Sequence, residues 1–394
     1  MILEGLKFID LFCGIGGFHL ALSQLGATCV LACDIDEKCR SIYKKNFNLE
    51  PKSDIKEIKS EQIPNFDILC GGFPCQAFSH AGKQGGFEDT RGTLFREIAR
   101  ILKDKQPKYF ILENVKNLKG HDKGKTISII YKSLQEVGYC VQEPIVLSPH
   151  QLGVPQHRER VFLLGMRKDL VTKPFTAFPT MKAKKTDLNT ILESGQLSKS
   201  LYLSKEDLEV LNLWEEFIQH FKQKQIKLPT FPLWSDDWDS VYSITDLPGW
   251  KQKFIQQNRE FYKEHQEFLD EWLFKARTTS SFTGSRTKLE WQCGPFQQND
   301  SLWTLLFTFR PSGIRLKRTN YSPALVAMAQ IVNLGAQKRK LSPREVARLQ
   351  SFPDTFQLHS SMSVAYKQFG NSVNVEVVKR MARYLLSEMH PIAP

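Results

Sequence analysis

The chain has 394 residues, 41% of them apolar, and a formal charge of +12 at pH 7, enough sequence for two cores and a surface charge compatible with a polyanionic partner. No apolar run is long enough to span a bilayer, and the opening "MILEGLKFIDLF" lacks the basic and apolar regions of a secretory leader, so no membrane attachment is expected. The eight cysteines include no CxxC pair, which disfavours a metal site or a disulfide framework and fits reduced thiols in a cytoplasmic protein.

Along the first part of the chain, short apolar runs alternate with helical patterns. "KFIDLF" (7–12) and "TCVLACD" (28–34) read as strands, with a helix over 17–26 between them. "FDILC" (66–70), "KYFILEN" (108–114) and "RVFLLGM" (160–166) continue the strand series, and helices are predicted over 93–102 and 126–138. This alternation predicts an α/β domain with a mostly parallel, Rossmann-like sheet covered on both faces. Near residue 172 the composition changes. All seven tryptophans fall between Trp214 and Trp303, and two long amphipathic helices are expected over 204–224 and 250–275, their aromatic stripes forming core. After about 340 the earlier style returns, ending in a helix over 374–386. The expected organisation is a discontinuous domain of 1–172 and 336–394, interrupted by a smaller inserted domain, 173–335.

The chemistry-bearing motifs lie in the outer parts. "FIDLFCGIGG" is strand, glycine-rich turn, helix: Gly14, Gly16 and Gly17 let the backbone approach a ligand closely. Asp34 follows Gly14 by twenty residues at the end of the next strand, where a carboxylate can bind ribose hydroxyls. The G-x-G-G spacing is not the dinucleotide fingerprint G-x-G-x-x-G, so an adenosine-containing ligand is favoured over hydride chemistry. "GGFPCQAFS" places Cys75 on a turn among glycines, reachable as a nucleophile, although a free thiol is only a few per cent thiolate at neutral pH. The loop 79–92 is glycine-rich and suited to closing over a substrate. In "FILENV", Glu113 ends a buried strand, where desolvation raises a carboxyl pKa and makes a proton donor. "QHRERVFLLG" brings Arg158 and Arg160 onto the start of another strand, and alternation places them on one face.

Taken in order, "FIDLFCGIGG", "GGFPCQ", "ENV", "QHRER", "REVARLQSFP" and "GNSV" resemble the motifs of the DNA (cytosine-5)-methyltransferases of bacterial restriction-modification systems. The resemblance covers 7–166 and 341–386. It implies S-adenosylmethionine as cofactor and double-stranded DNA as substrate. Cys75 would add to C6 of a cytosine swung out of the helix, Glu113 would protonate N3, and Arg160, with Arg158 beside it, would bind O2 and hold Glu113. For the cofactor it implies Asp10, Phe12, Gly14, Gly16, Gly17, Asp34, Ile35, Asp54, Ile55 and Pro74, with Asn371 and Ser372 completing the pocket. Ser79, Lys83 and Arg91 of the 79–92 loop are expected to contact DNA. The inserted domain would read the target, with Arg277, Arg286, Arg315 and Arg318 as candidate contacts. One departure stands out: where relatives carry a Thr-Leu pair beside the displaced base, this chain has "YSPALVAMAQ" (321–330), without threonine. The expected protein is a cytoplasmic monomer, the modification partner of a cognate restriction endonuclease without stable complex. A tRNA cytosine methyltransferase of the same fold and a catalytically silent DNA-binding relative are the alternatives. The long Arg- and Trp-rich insert argues against the first, and intact Cys75, Glu113 and Arg160 against the second.

Overall fold

A computed structural model of the chain describes residues 2–73, 93–325 and 330–388; Pro74, Cys75, Ser79, Lys83 and Arg91 lie outside them. In chain order, the first part contains β1 (Lys7–Leu11), α1 (Gly17–Ser23), β2 (Thr28–Cys33), α2 (Glu37–Phe47), β3 (Ile68–Gly72), α3 (Thr93–Lys105), β4 (Tyr109–Val115), α4 (Lys125–Glu136), β5 (Tyr139–Val141), β6 (Ile145–Leu147) and β7 (Arg160–Arg167). Next come α5 (Lys205–Gln223), β8 (Leu233–Trp234), α6 (Gly249–Glu264), α7 (Gln266–Thr278), β9 (Lys288–Trp291), β10 (Leu306–Arg310), β11 (Gly313–Lys317), β12 (Asn333–Leu334) and β13 (Arg339–Lys340). The chain closes with α8 (Pro343–Leu349), α9 (Met362–Asn371) and α10 (Val375–Arg383). Among the described residues no helix is long and apolar enough to cross a membrane.

Two compact units result: Met1–Thr186 with Pro323–Ala327 and Pro343–Pro394, and Asp187–Ser322 with Met328–Ser342. Both boundaries therefore fall later than composition placed them. Residues 173–186 run along the first unit, where the Thr176 carbonyl accepts from the Tyr384 hydroxyl and the Met181 carbonyl from Gln151 (2.6 Å). Residues 336–342 carry β13, which pairs with β12 in the second unit's sheet.

The first unit's sheet has the order β2-β1-β3-β4-β7-β5, with β6 also on β7. β2, β1, β3 and β4 are mutually parallel and buried on both faces, which is why their sequences are continuous apolar runs. The other half departs from the expected parallel arrangement: β7 runs antiparallel to β4, and β5 and β6 antiparallel to β7. No crossover helix separates β5, β6 and β7, and a parallel return needs one. β5 and β6 form one line along β7, interrupted where the pairing sum slips by one residue beside Pro144, which has no N–H to donate.

In the second unit the order is β13-β12-β10-β11-β9-β8. Its core gathers Trp214, Trp238 and Trp272 with Phe217 and Phe221 from α5. Each of these indoles keeps a partner for its N–H: Arg286 carbonyl, Asn258 Oδ1 and Leu213 carbonyl, all at 2.9 Å. The expected helix over 250–275 is two helices, broken at His265 (φ −129°, ψ 26°). An amphipathic period persists across such a break, so periodicity does not reveal it.

Candidate active site

Parallel strands deliver their successor loops to one end of a sheet. Here β2, β1, β3 and β4 bring Asp34, the 12–17 turn, Phe73 and Asn114 to the carboxyl edge, side by side. This is where open α/β sheets bind ligands. β1 and β4 flank β3, so the glycine turn and Glu113 stand about 10 Å apart at strand spacing.

At the turn, Phe12 and Gly14 both adopt left-handed backbone (φ +56° and +54°). The Gly14 amide donates to Asp34 Oδ2 and the Asp36 amide to Oδ1, each at 2.8 Å. Burial raises the Asp34 pKa, and the two amides pull it back only in part. The three glycines have different reasons to be there. A Cβ on Gly14 would meet nothing within 4 Å, leaving open space above the turn. A Cβ on Gly16 would lie 2.2 Å from the Phe47 ring, and on Gly17, 2.6 Å from Val373 Cγ2. Gly16 and Gly17 are thus packing requirements of α1, and only Gly14 faces the open side. Asp10, expected at the cofactor, is fully buried beneath the turn, with the His19 amide and the Tyr43 hydroxyl against its carboxyl. Burial drives its pKa well above the usual carboxylate range.

The other predicted cofactor residues spread around this edge. Ile35 is 79% exposed, whereas Ile55 is buried. Asp54 caps the turn Ile55–Glu57 by accepting from the Lys56 amide (2.9 Å). Asn371 is exposed at the end of α9, and the Ser372 hydroxyl sits 3.0 Å from where a Gly17 Cβ would be. The C-terminal segment therefore reaches the start of α1.

Glu113 is clamped by Arg160, with Nε 3.0 Å from Oε1 and both side chains mostly buried. Burial raises the Glu113 pKa, while Arg160 and then Arg158 pull it down. The antiparallel turn of β7 is what makes this pair: Arg160 opens β7 opposite Val115, two residues from Glu113 on the same side of the ladder. A parallel β7 would begin at the far edge of the sheet. Gly72 is in register with Glu113, and the Asn114 side chain donates to the Phe73 carbonyl (2.8 Å). Asn114, the middle residue of "ENV", was missed as a site residue; its signal is an amide immediately after a site carboxylate. It ties β4 to the last described residue before Pro74 and Cys75.

Arg158 does not share the strand face with Arg160. It precedes β7, is 2% exposed, and donates to the carbonyls of Leu325 (2.7 Å), Gly370 (2.8 Å) and Ser372 (3.0 Å). Alternation fails because the strand begins at Arg160. Arg158 is a clasp on the "GNSV" segment and a distant charge on Glu113.

The candidate DNA contacts of the second unit are all engaged within it. Arg277 forks onto Asp239 (2.7 and 2.7 Å), Arg286 onto Asp207, Arg318 onto Asp300 (2.6 and 3.1 Å), and Arg315 onto Glu290 (2.7 Å). Composition counts cations without seeing the carboxylates that the fold sets against them. Elsewhere, Cys13 and Cys70 are buried with thiol pKa values driven well up, and Cys29, Cys33, Cys39 and Cys293 are pushed up to about 12, so these thiols are inert. Among the described residues no three His, Cys, Asp or Glu side chains are placed to hold a metal ion.

The family model for C-5 cytosine-specific DNA methylases matches residues 6–387. The chain is 34% identical to type II methyltransferase M.HhaI of Haemophilus parahaemolyticus, over 98% of this chain and 96% of that protein. It is 33% identical to type II methyltransferase M.AluI of Cellulosimicrobium cellulans, over 96% and 91%. In fold it is similar to the crystal structure of the S. pombe Dnmt2 methyltransferase, with a TM-score of 0.55 at 20% identity over 97% of this chain and 98% of that one. A buried acid clamped by arginine beside a glycine turn, in a chain matched over nearly its whole length, identifies this protein as a member of the C-5 cytosine-specific DNA methylase family, a DNA cytosine-5-methyltransferase of the restriction-modification type.

Proposed function

We propose that this chain transfers a methyl group from S-adenosylmethionine to C5 of a cytosine within a specific duplex sequence, through transient addition of the Cys75 sulfur to C6. The observation that carries the reading is the Glu113–Arg160 clamp at the carboxyl edge of the sheet. C5 of cytosine is a poor nucleophile; a thiolate bonded to C6 pushes electrons toward C5, and a proton placed on N3 stabilises the adduct. Once C5 carries the methyl group, a base such as water takes the C5 proton and the C6–S bond breaks, which returns the Cys75 thiolate. Glu113 is suited to hold that proton because burial favours its neutral form. Arg160 fixes the carboxyl and keeps N–H groups for the cytosine O2. Asn114 holds the Phe73 carbonyl and so anchors the chain that leads to Cys75. A base inside a duplex is out of reach of such a site, so the target is swung out, at a cost of a few kcal/mol; Ser79, Lys83 and Arg91 are assigned to that task.

The open space above Gly14, the half-exposed Phe12 and the Asp34 carboxylate fit the adenosyl part of the cofactor, with Ile35, Asp54 and Asn371 at its margin. Bound there, S-adenosylmethionine supplies an electrophilic methyl group on a sulfonium. The second unit is assigned to reading the target site. The enzyme is proposed to act as a cytoplasmic monomer that protects DNA from a cognate endonuclease. The test is methyl incorporation into DNA by the purified wild type and by Cys75→Ser, with conversion sequencing to locate the modified base. The variant is expected to bind DNA and transfer nothing; normal turnover by it would remove Cys75 from the chemistry.

A further inference from the structure

Arg40 stands where helix electrostatics disfavours a cation. α2 starts at Glu37 after its cap Asp36, so Arg40 closes the first turn, beside the positive end of the helix dipole. No carboxylate accounts for its place: both of its side-chain hydrogen bonds among the described residues go to main-chain carbonyls. Nη1 donates to the Asp34 carbonyl and to the Ile35 carbonyl, each at 2.9 Å. These carbonyls belong to the turn that joins β2 to α2, at the carboxyl edge of the sheet and beside the glycine turn.

The same turn is held from two further directions. Asp34 accepts the Gly14 amide on one carboxylate oxygen and the Asp36 amide on the other. The Asp36 side chain accepts from the Lys38 (2.9 Å) and Cys39 (3.3 Å) amides. A carboxylate has about four lone-pair sites, so each Asp34 oxygen keeps one for a further donor. A trans peptide is planar, with its C=O and N–H opposed. A guanidinium on the Asp34 carbonyl therefore turns the Ile35 N–H the other way. That N–H has no partner among the described residues, and Ile35 is exposed. α2 itself is fastened near both ends to the C-terminal segment. Gln368 Nε2 donates to the Lys38 carbonyl (3.1 Å), while Asn46 accepts from the Gln357 amide (2.7 Å) and donates to its carbonyl (3.0 Å). Arg40 thus acts on the turn from a fixed frame.

We infer that Arg40 is a positioning residue for S-adenosylmethionine: its grip on the Asp34 and Ile35 carbonyls presets the turn, so that the remaining lone pairs of Asp34 and the Ile35 N–H are offered to the adenosyl group. This rests on the reading of this edge as the cofactor site. Without the guanidinium the two carbonyls turn to water, and the peptide planes gain freedom that cofactor binding must then remove. The loss falls on affinity and not on the methyl-transfer step.

The experiment is calorimetric titration of S-adenosylmethionine, S-adenosylhomocysteine and 5′-methylthioadenosine into the purified protein, with denaturant unfolding as the check on folding. Arg40→Ala is expected to weaken all three about 10-fold, because the adenosyl part is common to them. KM for S-adenosylmethionine should rise by a like factor, with kcat less affected. Arg40→Lys keeps a charged donor without the planar guanidinium and should recover part of the affinity; it carries the test if Arg40→Ala does not fold. In an Asp34→Ala background, Arg40→Ala should cost less than it does alone, since the two act on one turn. Wild-type affinity for all three ligands in both Arg40 variants, or a loss undiminished in the Asp34→Ala background, would overturn the inference. So would a fall in kcat at unchanged affinity. A wild type that binds neither S-adenosylmethionine nor S-adenosylhomocysteine would instead overturn the cofactor reading on which the inference rests.

Discussion

The two units use arginine in different ways. In the first, Arg160 sits on one mostly buried carboxylate whose pKa burial keeps raised, and Arg158 is turned inward onto backbone carbonyls. In the second, Arg277, Arg286 and Arg318 are each matched by an aspartate, so that an arginine-rich sequence folds into a largely self-neutralised scaffold. Identical side chains thus serve chemistry, cohesion or neither, according to what the fold sets opposite them. An isolated cation count does not distinguish these cases.

The sharpest way to break this contrast is at the clamp. Glu113→Gln is expected to lower kcat about 10²- to 10⁴-fold while S-adenosylmethionine binding survives; single-turnover kinetics beside a binding isotherm would check both. The pH profile carries a sign. A carboxyl with raised pKa keeps its proton to higher pH, so acid function is lost as pH rises through that value. Arg160 holds the value down. Arg160→Gln should therefore reduce kcat and move its alkaline limb to higher pH, and a limb that stays put would show another group to be the acid.

Next in size is the clasp. Arg158→Ala leaves three buried carbonyls without their charged donor and should cost about 3 kcal/mol or more of stability, measured by denaturant unfolding. Its pH–rate profile should shift less than that of Arg160→Gln. Smaller still are the glycines. Gly17→Ala drives a methyl against Val373 and should cost about 1–3 kcal/mol. Gly14→Ala meets open space, so its cost is the left-handed backbone, about 1–2 kcal/mol, together with a weakened hold on the cofactor. Comparing unfolding midpoints with cofactor affinity for the two variants separates packing from binding. The smallest effect is expected at Arg277→Ala. Its pair with Asp239 is exposed, worth about 0.2–1 kcal/mol, and DNA affinity should stay close to that of the wild type in a filter-binding titration.

Much of the catalytic unit was legible beforehand because its chemistry sits at strand ends. "FIDLF", "FILEN" and the glycine turn are local patterns, and parallel strands carry whatever follows them to one edge. Asp34 and Glu113 needed no more than strand assignment to be placed at the carboxyl edge of the sheet. Other positions depended on partners remote in sequence. Asp10 looks like a turn carboxylate until its burial is known, and Arg158 looks like the twin of Arg160 until the strand is seen to start two residues later.

By itself, then, the amino-acid order determined the family, the α/β class and the glycine turn, since each depends on short-range pattern or on ordered motifs. Tertiary structure alone decided the direction of β7, the unit boundaries, the break at His265 and the engagement of Arg277, Arg286, Arg315 and Arg318. Those features follow from which strands share hydrogen bonds and which charges meet across 18 to 79 residues of chain, and no local window contains both partners.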